Sequence, residues 1–283
     1  MNHSEWLIEE QTPGYRTQWK LRKVLCDKQT PYQHLQIVEM EDFGRALVLD
    51  SAVQTTVRDE FIYHEMIAHV PLATHPNPRK VLVIGGGDGG TAREVLRHPE
   101  VQQVDMVEID QEVVEACRKY LPEISCELDN PRLNLHIGDG LAWVAQASDA
   151  YDVILVDSSD PVGPATGLFG ESFYRDVYRA LKPGGIFVHQ TLSPFFHQNL
   201  IRDVHAIVAD IFPIARIYLT VVPTYPSGFH CFNLGSKKYD PATVELRPLS
   251  FPTRWYSPEV HRASFVLPPV VAELLEPKKE RVT

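Results

Sequence analysis

The stretch Val81-Leu82-Val83-Ile84-Gly85-Gly86-Gly87-Asp88-Gly89-Gly90 restricts the fold more than any other part of this 283-residue chain. Four apolar residues, three of them β-branched, run into five glycines interrupted by one aspartate, and helix-forming residues from Thr91 to Arg97 follow at once. That order predicts a buried parallel strand, a tight turn and a helix N-terminus, the entry to a nucleotide-binding βαβ unit. Glycine permits backbone angles closed to other residues and lets a ligand approach the main chain. Asp88 is the unusual part. A helix N-terminus behind a glycine turn favours an anion such as pyrophosphate. A carboxylate there opposes phosphate and favours a cation, so the expected ligand is adenosine-like with a positive non-adenosine end.

Repeated alternation downstream extends the reading. Val104–Ile109, Leu133–Ile137, Tyr151–Asp157 and Ile186–Val188 read as strands, and residues 111–120, 171–181 and 197–212 as helices. Pro183-Gly184-Gly185 is expected to close the second of those helices. Strands alternating with helices predict a Rossmann-like, doubly wound α/β sheet of the methyltransferase type. Two late strands, Ile214–Val222 and Phe229–Leu234, flank a Pro- and Gly-containing loop and should form an antiparallel pair at one edge. Upstream, Pro13-Gly14 and residues 41–44 mark turns between alternating segments, which predicts a small antiparallel β domain over residues 1–60 ahead of a catalytic domain over 61–283. Residues 59–70 carry helical spacing. Trp6 and Trp19 are expected to anchor the β domain, and the charged tail from about Glu276 to be solvated.

The net charge of −10 argues against nucleic acid as a partner, because a phosphate backbone needs a basic footprint. It is compatible with cationic substrates. Cys26, Cys117, Cys126 and Cys231 are scattered, without the close spacing of a zinc or redox motif, and read as reduced, mostly buried thiols of a cytoplasmic protein. The opening MNHSEWLIEE lacks the basic start and apolar core of a signal peptide, and no apolar run is long enough for a bilayer. No membrane partner is expected.

Ligands of open α/β sheets bind outside the carboxyl ends of the strands. Here those ends supply Asp88, Glu108, Asp139, and Asp157 with Asp160. Glu108 lies about twenty residues beyond the glycine turn, where an acid commonly holds ribose hydroxyls. Asp88 argues against a dinucleotide, and the absence of Lys-Ser or Lys-Thr after the glycines argues against a nucleoside triphosphate. A sulfonium nucleoside without phosphate fits better. Asp157 and Asp160 could bind a divalent metal, bind an amine, or cap a loop. Ser158 and Ser159 are expected to cap. His64 and His69 are five apart and do not share a helix face, so they are no zinc pair, and His69 is expected to pack in the core. Tyr63 and Tyr225 suit an alkyl chain with ammonium ends.

With GGGDGG, VEID, GDG, DSSDPVGP, YHEM and PTYPSG in order, the chain resembles the spermidine synthases, or polyamine aminopropyltransferases, and within them a bacterial, Bacillus-like branch. The likeness runs from the amino-terminal β domain to Ser236–Pro241. It implies transfer of the aminopropyl group of decarboxylated S-adenosylmethionine, a co-substrate rather than a resident cofactor, to putrescine, giving spermidine and 5′-methylthioadenosine. No metal is implied. The resemblance assigns Asp157 as general base, assisted by Tyr63. It assigns Gln33, Asp88, Glu108, Asp139, Gly140 and Pro164 to the nucleoside donor, with Asp88 on its ammonium beside Gln33 and His64. His64, Asp88, Tyr63, Asp157, Asp160, Gln190 and Tyr225 fall in the polyamine site, and residues 158–168 correspond to a mobile lid. Two departures bear on the acceptor: His64 stands where some relatives have glutamine, and Leu192 replaces an acidic residue of animal relatives. Agmatine or cadaverine as acceptor, or methyl transfer from intact S-adenosylmethionine, are the alternatives. A homodimer or homotetramer joined partly through the β domains is also implied.

Overall fold

Alternating burial between Trp6 and Thr56 builds a five-stranded antiparallel sheet in the order β1 to β5: Trp6–Thr12, Tyr15–Gln29, His34–Met40, Gly44–Leu49 and Ala52–Thr56. The computed structural model describes residues 6–161 and 163–276, without the side chain of Pro164. The charged tail and the first five residues lie outside it. Pro13-Gly14 turns β1 into β2 as expected. Trp19 packs beside Phe43 and Leu7, but Trp6 is 44 % exposed, on the outward face of its strand. Strand alternation explains the difference, because Leu7 and Glu9 take the inward face and leave Trp6 and Ile8 outside.

Helix α1 (Glu60–Thr74) then leads into the second sheet. It continues past Val70 through Pro71, whose missing N–H costs only one bond in the last turn. The chain next alternates β6 (Lys80–Gly85), α2 (Gly90–Leu96), β7 (Gln103–Glu108), α3 (Gln111–Tyr120), the short α4 (Pro122–Ser125), β8 (Leu133–Ile137), α5 (Gly140–Ala145) and β9 (Tyr151–Asp157). A 3₁₀ helix over Gly163–Phe169 precedes α6 (Glu171–Ala180), β10 (Leu181–Gln190), α7 (Gln198–Ile211), β11 (Ile214–Val221) and β12 (Phe229–Ser236). Pro183-Gly184-Gly185 does not separate α6 from β10. The strand already begins at Leu181, opposite Tyr151, and the three residues form an irregularity before Ile186 resumes the ladder.

The seven strands lie in the order β11-β12-β10-β9-β6-β7-β8. β12 runs antiparallel to both β10 and β11, while β6 to β10 are mutually parallel where they pair. Alternation along the central strands sends Val81, Val83, Val153 and Leu155 to a core shared with Ile62 and Met66 of α1 and Val95 of α2. Leu82, Ile84, Ile154 and Val156 face the opposite core, with Phe173 and Val177 of α6 and Val204 and Val208 of α7. Both faces are thus covered, which is why these strands read as unbroken apolar runs. Val113, Ala116 and Cys117, at helical spacing on α3, pack instead against Leu35, Ile37 and Leu47 of the first sheet. This contact docks the two sheets together.

The chain runs outward from β6 through β7 to β8, then returns to β9 beside β6. The reversal opens a crevice at the carboxyl ends of β6 and β9, the switch point of a doubly wound sheet.

Candidate functional site

A cavity of about 560 Å³ occupies that crevice, closed on one side by β1, β4 and β5 of the first sheet. Register aligns its two main walls. Gly85 of β6 pairs with Asp157 of β9, and Gly86 N donates to Asp157 O at 2.8 Å. Gly85 has φ +81°, and a Cβ there would sit 2.2 Å from Asp157 O, so only glycine admits this approach. The glycine turn therefore presses its backbone directly onto the strand end that carries Asp157.

Asp157 receives the Tyr63 hydroxyl on Oδ1 at 2.7 Å and the Thr91 hydroxyl on Oδ2 at 2.7 Å. Burial raises its pKa and the Asp88 charge raises it further, against the opposing pull of His64 and the two hydroxyls. The result is a carboxylate more basic than usual with its orientation fixed from both sides. Asp88 shows the opposite balance. Burial works against its charge, but His64, with its Nε2 3.4 Å from Asp88 Oδ2, outweighs it and lowers the pKa. Asp88 Oδ1 also accepts from Gly90 N at 2.8 Å. His64, Asp88 and Asp157 bring ligating atoms within 4.8 Å of one another. Both nitrogens of His64 already face carboxylates, so the ring offers protons rather than a lone pair. The cluster suits an alkylammonium on the two aspartates better than a metal ion.

Glu108 ends β7 in the cavity wall, and its Oε1 accepts from Asp110 N at 2.9 Å. Burial raises its pKa to about 7, with the Asp110 and Asp157 charges adding to it. Asp139 and Gly140 line the same end, where Asp139 is exposed and caps α5 through Leu141 N at 2.8 Å. Gln33 also lines the cavity, but its amide donates to Asp110 at 3.0 Å rather than to Asp88 or His64. Pro164 belongs to the 3₁₀ helix, and its side chain lies outside the described residues.

The other end holds Asp160, Gln190 and Tyr225. Burial raises the Asp160 pKa, with His197 opposing. Gln190 donates to Ser158 O at 2.9 Å, and its carbonyl accepts from Leu192 N at 3.2 Å. Tyr225 donates to Gln54 O at 2.8 Å, which leaves its ring, rather than its hydroxyl, beside Tyr63 at 5.8 Å. Leu192 lines this end with φ +64°. Ser158 and Ser159 cap no helix, because the next one starts only at Gly163; the Ser158 hydroxyl faces His189 at 3.5 Å instead. His69 is buried as expected, yet in polar company, 3.0 Å from His98 and 3.2 Å from Glu94. Cys117 and Cys231 are buried, Cys26 is intermediate and Cys126 is exposed, and all four are free thiols.

Sequence reasoning missed Glu60, Thr91, His197 and His230. Glu60 and His64 are spaced i, i+4, a signal that pairs side chains on one helix face and could have been read. Thr91 reaches Asp157 across 66 positions, and no local pattern announces that. His197 Nδ1 and His230 Nε2 are buried without a hydrogen-bond partner, and both residues line the cavity. They give that end of the cavity polar surface that the aromatic residues around it do not announce.

Comparison with known proteins places this geometry. Residues 60–247 match the model of the spermine/spermidine synthase domain, and residues 5–57 that of the spermidine synthase tetramerisation domain. A polyamine aminopropyltransferase of Moorella thermoacetica is 55 % identical over 276 residues, covering 97 % of this chain and 98 % of that relative. One from Caldicellulosiruptor saccharolyticus is 54 % identical over 272 residues, covering 96 % and 98 %. Among solved structures, a spermidine synthase in complex with the transition-state analogue AdoDATO superposes with a TM-score of 0.93 at 40 % identity, covering 97 % of this chain and 96 % of that one. The spermidine synthase of Thermotoga maritima gives 0.92 at 40 % identity, covering 97 % and 95 %.

Proposed function

The chain belongs to the spermine/spermidine synthase family, and from that premise we propose how its own residues carry out aminopropyl transfer. The protein is a polyamine aminopropyltransferase. Decarboxylated S-adenosylmethionine is its substrate, and the acceptor we assign is putrescine. A nitrogen of putrescine attacks the aminopropyl carbon bound to sulfur. The new C–N bond takes the nitrogen lone pair, the C–S bond breaks, and its electrons convert the sulfonium into the neutral thioether of 5′-methylthioadenosine.

The observation that carries the reading is the meeting of Asp157, held by Tyr63 and Thr91, with Asp88 at the β6/β9 crevice. An alkylammonium has a pKa near 10 and no lone pair, so the nucleophile must lose a proton before it attacks. Asp157 accepts that proton, and its raised pKa suits the task. Asp88 holds the aminopropyl ammonium, which decarboxylation leaves without a neighbouring carboxylate. The carboxylate of intact S-adenosylmethionine is repelled there, and that repulsion is the basis of donor choice. Glu108 takes the ribose hydroxyls, and Asp139 and Gly140 border the adenine. Asp160, Gln190 and the Tyr225 ring take the distal part of the diamine. Alignment of nitrogen, carbon and sulfur in a site closed to water supplies the remaining acceleration.

We also assign a homo-oligomer built through the amino-terminal sheet, in keeping with the family model matched there and with the exposed Trp6 and Ile8 on β1. No helix among the described residues is long and apolar enough to cross a membrane. The four free cysteines fit a cytoplasmic location.

Product analysis tests the assignment. The protein is incubated with decarboxylated donor and, separately, putrescine, cadaverine, agmatine and spermidine. Spermidine should dominate the putrescine reaction and exceed the products of the other three amines. Preferred aminopropylation of agmatine or cadaverine rejects putrescine as the acceptor. Methylputrescine formed from intact S-adenosylmethionine rejects the roles given to Asp88.

A further inference from the structure

Both ring nitrogens of His64 face carboxylate oxygens. Nδ1 lies 2.5 Å from Glu60 Oε2, and Nε2 lies 3.4 Å from Asp88 Oδ2. A neutral imidazole has one N–H and one lone pair and satisfies only one such acceptor, whereas an imidazolium satisfies both. The surroundings hold the ring in this place. Gly90, at the start of α2, lies directly under it, and a Cβ there would sit 2.2 Å from His64 Cε1. Arg93 of α2 donates to the same Glu60 Oε2 at 2.8 Å. The ring is 2 % exposed, so water offers no alternative partner. The charged and titratable groups around it are Glu60 on its own helix, Asp88 on the glycine turn, Asp157 on β9, Arg93 on α2 acting through Glu60, and the neighbouring Tyr63 ring at 5.4 Å.

Asp88 is therefore paired with a cation that the protein itself supplies. Taking Asp88 as the donor's ammonium site, which rests on the function proposed above, an arriving ammonium finds an imidazolium beside its carboxylate. Two like charges in one buried site raise each other's cost steeply. We propose that the donor's ammonium exchanges for the Nε2 proton of His64. The ammonium keeps its three protons, donates to Asp88 and donates to the lone pair left on Nε2. The displaced proton goes to solvent. Glu60 is the positioning residue of this exchange. By accepting from Nδ1–H it keeps the neutral ring in the tautomer whose lone pair points toward Asp88. Burial opposes the charge on His64, but Asp88 and Glu60 outweigh it and raise the imidazole pKa to about 10, in agreement with this charge state.

Isothermal titration calorimetry of the full-length protein with decarboxylated donor alone, at pH 8.5 in buffers of different ionisation enthalpy, tests the exchange. The expected result is release of about one proton per donor bound, and an affinity that improves by up to about tenfold per pH unit between pH 7 and 9. 5′-Methylthioadenosine, the same nucleoside without the aminopropyl ammonium, should bind with no release at pH 8.5. His64→Gln should bind donor without release, and Glu60→Gln should release a smaller fraction of a proton. Donor binding without proton release, equal release with 5′-methylthioadenosine, or undiminished release in His64→Gln would each overturn the exchange. The wild-type protein labelled with ¹⁵N-histidine gives a reading independent of any variant's folding. The His64 signals should pass from imidazolium to the neutral Nδ1–H tautomer on donor addition, and unchanged signals count against the exchange. A donor that fails to bind, or that binds Asp88→Asn as tightly as wild type, removes the ammonium site itself; binding without release removes only the proton exchange.

Discussion

Tyr63 and Asp157 lie 94 positions apart and meet through a 2.7 Å hydrogen bond from the phenol to Oδ1. With Thr91 on Oδ2, this contact fixes from both sides the carboxylate that we propose takes the amine's proton. It also lowers the basicity that burial raises, so Tyr63 sets both the direction and the strength of the base.

Asp157→Asn should lower kcat by about a thousandfold, within the range of a lost general base. The carboxamide keeps the shape, so affinity for 5′-methylthioadenosine should stay within about threefold of wild type, an approximation for an isosteric change outside the nucleoside pocket. Steady-state kinetics and calorimetry read the two quantities separately. Near-normal turnover in this variant would falsify the assignment.

Tyr63→Phe removes one of the two hydrogen bonds that favour the ionised form of Asp157, so the carboxyl pKa should rise further. The base works only when ionised. Activity falls as pH drops through its pKa, and the acid limb of the kcat/KM profile should shift to higher pH in the variant. On the plateau, kcat should drop by about tenfold, the worth of one hydrogen bond to a charged group. An unshifted limb separates Tyr63 from the base.

Glu108→Gln should trade nucleoside affinity for stability. The folded pKa of about 7 lies above the ordinary 4.5, so the folded protein holds this proton more tightly than the unfolded chain. Its contribution is most favourable below the unfolded pKa and is lost as pH rises through about 7. Glutamine does not ionise and escapes that loss. Urea denaturation should therefore show the variant gaining, relative to wild type, up to about 3 kcal/mol between pH 4 and pH 8. Its affinity for 5′-methylthioadenosine should fall by about tenfold with the loss of a charged acceptor for ribose. A stability difference independent of pH contradicts the reading.

Gly90→Ala should be far more damaging than its single methyl suggests. The new Cβ would meet three atoms of the His64 ring at 2.2 to 2.6 Å, and the ring cannot retreat without breaking its bonds to Glu60 and Asp88. The KM for decarboxylated donor should rise by more than about tenfold, the equivalent of one disrupted charge contact. Affinity for 5′-methylthioadenosine should change much less, and titration of both ligands decides the matter.

The sheet was legible because its strands are covered on both faces and therefore read as apolar runs, each delivered to a carboxylate. Asp88, Glu108, Asp139 and Asp157 could be found by listing strand ends, and the cavity brings all four together. What local pattern did not convey was partnership. Gln33 turns to Asp110, Tyr225 to the Gln54 carbonyl, and Ser158 to His189, each through a contact made by a distant element. Trp6 failed as a core residue because hydrophobicity was weighed without the parity of its strand. The histidines that line the cavity near Tyr225 and Asp160 were invisible for a similar reason. His230 is one residue of an apolar-looking strand, and only the fold turns it toward the cavity wall.

Gly85 and Asp157 occupy one rung of the ladder between β6 and β9, and the glycine turn that carries Asp88 begins at that rung. The donor site and base we propose are thus fixed to each other by neighbouring, hydrogen-bonded strands of one sheet. The end of the cavity we assign to the acceptor is assembled separately, from the segment after β9, the end of β10 with the residues after it, and the loop between β11 and β12. Such a division makes the molecule modular in an evolutionary sense. On the proposed assignment, substitutions outside the strands, at positions such as Leu192 and Tyr225, are free to retune which amine is accepted, while the chemistry inherited from the ladder stays as it is.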